Sequence, residues 1–150
     1  MAEEVLRASL AEADLDGAVT LDSAGTGDWH VGEPMYQPAR AALASRGYEG
    51  SAHRARQFRP SWLAERDLVL AMDARNLAIL RRMAGTAERD RIRLFGEVGG
   101  LSQDGAEIPD PYGGDAADFR YVLDLLAAAA PVIAARLAGL LDPGRSGAPA

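Results

Sequence analysis

Asp110 is the residue in this sequence best placed to act as an acid, because prolines flank it on both sides. It lies in the run Pro109-Asp110-Pro111-Tyr112-Gly113, and a carboxyl group held on a rigid turn is well placed to give a proton to a leaving group. Tyr112 would form an aromatic wall beside it. The same run also fits an ordinary turn, since Asp-Pro is a common turn former. Both interpretations stay open on this segment alone.

Trp29 and the two histidines are the other residues whose types indicate a site. Trp29 lies in a glycine-rich loop after a predicted strand, where aromatic residues often line pockets, although packing in the core is the alternative. The glycine spacing does not fit a dinucleotide-binding loop, which needs strand, turn and helix in immediate order. His53 opens the basic run His53-Arg54-Ala55-Arg56, typical of a solvated turn or of a histidine that braces a neighbouring loop. With His30 as the only other histidine, no metal site is predicted.

Strands that alternate with helices predict an α/β fold, with a parallel sheet covered by helices on both faces. Three apolar runs fit strands: Ala18–Leu21, Asp67–Met72 and Arg91–Phe95. Four stretches fit helices: Ala2–Asp14, Pro38–Arg46, Asp73–Met83 and Asp115 to about Leu141. Gly17 and Gly47 are expected to stop the first two helices, and Pro131 to kink or split the last one.

Composition indicates one globular domain, with 48% hydrophobic and 25% charged residues among 150. The net charge of −6 argues against a nucleic-acid or anionic-membrane partner. The longest apolar run, Leu125–Ala135, is too short to span a bilayer. With no signal segment visible and no cysteine, we expect a cytoplasmic protein without disulfides or cofactors. We expect residues 1–141 to form the domain and the Pro/Gly/Ser/Ala-rich residues 142–150 to be a disordered tail.

Five motifs in one order resemble the low-molecular-weight protein tyrosine phosphatase family. They are Asp22-Ser23-Ala24-Gly25-Thr26, Trp29-His30-Val31-Gly32, His53-Arg54-Ala55-Arg56-Gln57, Ala71-Met72-Asp73 with Asn76, and Asp110-Pro111-Tyr112. The resemblance runs from Met1 to about Leu137. It implies a three-layer fold with a parallel sheet in the order 2-1-3-4. It also implies that phosphotyrosine monoesters are hydrolysed through a phosphocysteine, on a phosphotyrosine protein or a small aryl phosphate.

The same resemblance implies a role for each candidate residue. Asp110 matches the general acid, which protonates the departing phenolic oxygen and then activates water. Trp29 and Tyr112 match the walls that sandwich the aromatic ring of the substrate. Ser23 and His53 match the pair that hydrogen-bonds the phosphate-binding loop. No metal takes part.

Two departures from the family pattern bear on substrate preference. Many relatives have a second aromatic residue after Tyr112, where this chain has Gly113. The dipeptide Tyr36-Gln37 stands at a position where members of this family commonly have an acidic residue.

The resemblance also implies that the central part of the phosphatase site is missing from this chain. In the family the first strand ends in a C-x5-R-S loop, followed by a proline and Met-Ala-Glu, whereas this sequence opens with Met1-Ala2-Glu3 and has no cysteine. We therefore expect the first, central strand, the nucleophile and the phosphate-binding arginine to be absent, and the chain as given to be inactive. The strands beside the missing one, near Leu21 and Leu68, would then be about 10 Å apart or paired directly.

Three interpretations of the missing nucleophile remain open. The recorded start can lie downstream of the true one, so that the nucleophile is encoded before Met1. Alternatively, the chain is a non-catalytic binding or scaffold protein. An arsenate reductase-like activity is disfavoured, because those enzymes need further cysteines downstream and this chain has none.

Overall fold

The computed structural model describes residues 1–102 and 106–142. Within those residues it contains five α-helices and two β-strands. In chain order they are α1 (Ala2–Glu12), α2 (Gln37–Ala44), β1 (Val69–Ala71), α3 (Ala74–Met83), β2 (Ile92–Leu94), α4 (Phe95–Val98) and α5 (Ala116–Leu141). Short 3-10 helices cover Pro60–Ala64 and Arg89–Arg91. The predicted tail, apart from Asp142, lies outside the described residues.

The two strands form a parallel pair, which agrees with the predicted α/β class. Val69 lies opposite Ile92, and Ala71 lies opposite Leu94. Helix α3 makes the crossover between them, as parallel strands require. It begins where expected, because the Asp73 side chain accepts a hydrogen bond from the Asn76 backbone N–H at 2.6 Å and so caps the helix.

The strand predicted at Ala18–Leu21 is wrong. Ala18 lies in a turn, its N–H donating to the Leu15 carbonyl at 3.0 Å, and residues 19–24 belong to no strand. A β-strand needs backbone hydrogen bonds to a neighbouring strand. For residues 18–21 the neighbour would be the free edge of β1, and a cavity separates the two segments. Gly25, the residue just beyond this segment, forms an isolated parallel bridge with Gln57.

Helix α5 supplies the centre of the hydrophobic core. It packs against α1, α2 and α4, and eight of its residues are buried: Phe119, Val122, Leu123, Leu126, Ala129, Ala130, Ile133 and Ala134. Among the residues that the structure describes, α5 is the one helix long and apolar enough to cross a membrane, yet its buried face is what a core helix of a folded domain shows. Asp115 and Asp118 form a capping box at its start.

Two predicted helix breaks differ from the structure. Helix α5 continues through Pro131, so of the two predicted outcomes, a kink or a split, the split is wrong. The proline removes one N–H donor, and the buried residues on either side keep the helix packed. Helix α1 ends at Glu12 rather than at Gly17. Asp14 takes a left-handed conformation, with φ of 56°, and the Leu15 N–H then donates to the Leu10 carbonyl at 2.9 Å.

Candidate active site

A cavity of about 670 Å³ opens between β1 and the segment Leu21–Thr26. Among the described residues β1 pairs only with β2, so the other edge of β1 is unpaired, and its residues line the cavity. The apolar part of the lining comes from four elements around the core, through Leu6, Leu70, Phe95 and Leu126. The cavity therefore combines an unpaired strand edge with hydrophobic walls, while polar residues border it near the carboxyl end of β1.

All five candidate residues from the sequence border this one cavity. They are Ser23, Trp29, His53, Asp110 and Tyr112. The carboxyl end of a parallel strand is where ligands bind in α/β folds, and Asp73 and Asn76, which follow β1, border the cavity too. The structure thus brings together motifs that are up to about ninety residues apart in the chain.

The turn that carries Asp110 is fixed to the end of β1. The Ile108 N–H donates to the Met72 carbonyl at 2.7 Å, and the Ile108 side chain is buried. Asp110 Oδ1 accepts a hydrogen bond from the Tyr112 N–H at 3.0 Å, an arrangement that Asp adopts in turns. The exposed carboxyl group is therefore held in place at the cavity rim, which suits proton transfer to a bound molecule.

Ser23 and His53 meet at a carboxylate that the sequence did not single out, that of Glu3. Ser23 Oγ donates to Glu3 Oε2 at 2.5 Å, and His53 Nδ1 lies 3.6 Å from the same oxygen. Glu3 belongs to the first turn of α1, where acidic side chains interact favourably with the helix dipole. The position of Glu3 in the first turn of a predicted helix was the one sign in the sequence that this residue could matter. Its contact with Ser23 joins two distant segments, so the sequence did not indicate it.

The same corner contains a cluster of possible metal ligands. Donor atoms of Glu3, Glu4 and His53 lie within 4.8 Å of one another. Both carboxylates also pair with Arg7, through Glu3 Oε1 at 2.5 Å and Glu4 Oε2 at 3.6 Å. Both carboxylates are therefore already engaged by protein groups, and the arrangement fits a hydrogen-bonded support for the cavity rim.

The loop that carries Trp29 is tied to the segment after His53 by backbone hydrogen bonds at both of its ends. The Gly25 N–H donates to the Arg56 carbonyl at 2.8 Å, and the Gly32 N–H donates to the Ala55 carbonyl at 2.9 Å. The Trp29 ring lies against Gly27, where a Cβ would be 1.0 Å from the ring, so a side chain at position 27 would displace the ring from this place. The ring itself is 77% exposed, which leaves it available to a ligand.

An arginine pair lines another part of the cavity wall. Arg66 donates to Asp22 Oδ2 at 2.6 Å, and Arg56 donates to the Ser23 carbonyl at 3.0 Å and lies 3.4 Å from the same carboxylate. Both guanidinium groups lie over the Trp62 ring, at 4.6 and 5.3 Å. The hydrogen bond from Arg66, together with the charges of both arginines, holds the pKa of Asp22 below its ordinary value. These cations are engaged with Asp22 and Trp62.

Comparison with known sequences assigns the family. The family of low molecular weight phosphotyrosine protein phosphatases matches residues 1–140. A low molecular weight protein-tyrosine-phosphatase from Streptomyces coelicolor is 45% identical over 132 residues, covering 86% of this chain and 79% of the relative. Low molecular weight protein-tyrosine phosphatase A of Mycobacterium tuberculosis is 36% identical over 87% of this chain and 78% of its own length. The chain belongs to the low molecular weight phosphotyrosine protein phosphatase family.

Solved structures agree with that assignment. A protein tyrosine phosphatase from Entamoeba histolytica superposes with a TM-score of 0.84 at 26% identity, over 95% of this chain and 88% of that one. YfkJ from Bacillus subtilis superposes with a TM-score of 0.82 at 30% identity, over 96% and 87% of the two chains. The α/β fold with a parallel sheet is therefore that of the family, as the sequence motifs predicted.

Proposed function

We propose that this chain forms the general-acid and substrate-wall part of a phosphatase that hydrolyses phosphotyrosine or small aryl phosphates through a phosphocysteine. The observation that carries the proposal is the meeting of Asp110, Trp29 and Tyr112 at one cavity, in a chain whose relatives are named protein-tyrosine-phosphatases. An acid beside two exposed aromatic rings suits a leaving group that is itself an aromatic alcohol.

In the proposed mechanism the rings of Trp29 and Tyr112 hold the aryl group of the substrate between them. A cysteine thiolate attacks phosphorus, so that an S–P bond forms while the P–O bond to the aryl group breaks. Asp110 gives its proton to the departing phenolic oxygen. The resulting carboxylate then removes a proton from water, whose oxygen bonds to phosphorus as the S–P bond breaks. Ser23 and His53 support the loop that binds the phosphate.

The nucleophile must come from outside these 150 residues, because they contain no cysteine. A serine in its place would need an adjacent base and a set of backbone donors for the phosphate. The cavity beside β1 has an unpaired strand edge and apolar walls, and these are the surfaces that a further parallel strand would cover. We propose that a segment encoded before Met1 supplies this strand, the thiolate and the phosphate-binding arginine. A cytoplasmic location, where thiols stay reduced, suits such a nucleophile.

Inactivity of the 150-residue chain by itself is part of the same proposal. Without a thiol, Asp110 could assist only slow attack by water. A non-catalytic binding or scaffold role is the second candidate, and the composition of the chain favours it if no cysteine-bearing segment is encoded upstream.

The test is to express the coding frame extended upstream of Met1 and to assay it in the presence of EDTA. We expect hydrolysis of p-nitrophenyl phosphate and of a phosphotyrosine peptide without added metal, and much slower hydrolysis of the matched phosphoserine peptide. A stop codon, or unrelated residues without a cysteine, directly upstream would rule out the catalytic proposal and leave the binding role.

A further inference from the structure

Tyr36 adds a third ring to the aromatic wall, although it comes from a different segment than Trp29 and Tyr112. Its ring centroid lies 4.8 Å from that of Tyr112, with the two planes inclined by 42°. This tilted geometry is among the favourable arrangements of aromatic pairs. His30 lies on Tyr112 as well, at 5.7 Å. Tyr36 lines the same cavity and is 44% exposed, so part of its ring faces the space where a ligand would lie.

Tyr36 is anchored from both its side chain and its backbone. Its ring lies 6.0 Å from the ring of Phe119, which is buried on α5. Its carbonyl accepts the Arg40 N–H at 3.0 Å, because Tyr36 is the residue from which α2 begins. The ring therefore connects the hydrophobic core to the cavity rim.

Tyr112 has little support from its own segment. It is 60% exposed and is followed by Gly113 and Gly114, neither of which has a side chain to pack on it. Gly113 has φ of +79°, a conformation that disfavours any residue with a side chain there. This conformation therefore disfavours a second aromatic residue at position 113, and the rings that lie against Tyr112 are those of Tyr36 and His30.

We propose that Tyr36 is a positioning residue that sets the preference of this site for phosphate esters with a flat aromatic leaving group. It holds the Tyr112 ring in one orientation and extends the wall that contacts the aryl group. This inference rests on the proposed phosphatase function. Loss of one tilted aromatic contact should lower the specificity for aryl esters by about three- to tenfold.

The experiment compares two substrates on the upstream-extended enzyme and its Tyr36 variants. p-Nitrophenyl phosphate has an aromatic leaving group, whereas acetyl phosphate has a good leaving group without a ring. Tyr36→Ala should raise KM for p-nitrophenyl phosphate about three- to tenfold with kcat nearly unchanged, and should leave acetyl phosphate hydrolysis as it was. Tyr36→Phe keeps the ring and should restore the wild-type values. Tyr121→Ala removes a tyrosine that is 55% exposed on α5 and should change neither substrate.

The results of this experiment test the role of Tyr36 separately from the proposed phosphatase function. If Tyr36→Ala lowers the activity on both substrates equally, or if Tyr36→Phe fails to restore the aryl preference, the proposed role of Tyr36 is wrong while the phosphatase activity stands. If the unsubstituted extended enzyme hydrolyses neither substrate, the proposed function fails, and the inference fails with it.

Discussion

Replacing Asp110 with asparagine should slow turnover of phenyl phosphate by the upstream-extended enzyme by about 10² to 10⁴, the usual range for general acid catalysis. Phenolate is a poor leaving group that needs a proton as its bond to phosphorus breaks. The amide keeps the size of the side chain and can still accept the Tyr112 N–H, so the turn should keep its shape. KM should change much less, because the phosphate is held elsewhere. Steady-state kcat and KM for phenyl phosphate measure both effects.

A leaving-group series and a charge-matched variant serve as controls for this prediction. The loss should be smaller for p-nitrophenyl phosphate, whose anion leaves without much help from a proton. Asp124→Asn removes the same charge from an exposed position on α5, where Asp124 pairs with Arg46, and should leave the kinetics unchanged because such surface pairs contribute little. Equal losses across the leaving-group series would show that Asp110 does not act as the acid.

When the 150-residue chain is produced alone, we expect it not to unfold cooperatively. A central strand would bury four or five apolar side chains, and each is worth roughly 1.5–3 kcal/mol. That sum is comparable to the roughly 5–15 kcal/mol by which a domain is stable. We propose that this strand would lie in the cavity of about 670 Å³ beside β1. An unpaired strand edge there also favours aggregation.

Thermal unfolding followed by near-ultraviolet circular dichroism tests this expectation. The isolated chain should be insoluble or should show a weak signal and a broad transition, whereas the upstream-extended protein should show a sharp one. The Leu140→Ala variant of the extended protein is the control, because Leu140 is 76% exposed and the substitution should not alter the transition. A sharp, cooperative transition of a monomeric 150-residue chain would contradict the expectation.

Local signals in the sequence predicted the parts of the fold that local interactions determine. Asp73 and Asp115 cap two helices at the residues where those helices were predicted to begin, because a capping carboxylate bonds to N–H groups two or three residues away. The strand at Ala18–Leu21 was predicted from its apolar residues, but the edge on which strand formation depends lies across a cavity. Whether a segment forms a strand depends on the strand beside it as much as on its own residues.

In the candidate site, too, the residues in short motifs could be predicted from the sequence, whereas the contacts between distant segments could not. Trp29, Asp110 and Tyr112 could be selected because each lies in a short motif with a chemical interpretation. Glu3 and the supporting role of Tyr36 could not, because their contacts with Ser23, Tyr112 and Phe119 join segments far apart in sequence.

We propose that this chain supplies the acid and the aromatic walls while an upstream segment supplies a cysteine nucleophile. Rapid acid quenching of the extended enzyme with radiolabelled p-nitrophenyl phosphate, followed by peptide mapping, tests it most directly. We expect phosphate bound to a cysteine encoded before Met1, and we expect neither labelled protein nor hydrolysis with the 150-residue chain. Phosphate on any of residues 1–150, or hydrolysis by the purified 150-residue chain at the rate of the extended enzyme, would rule out an upstream cysteine nucleophile.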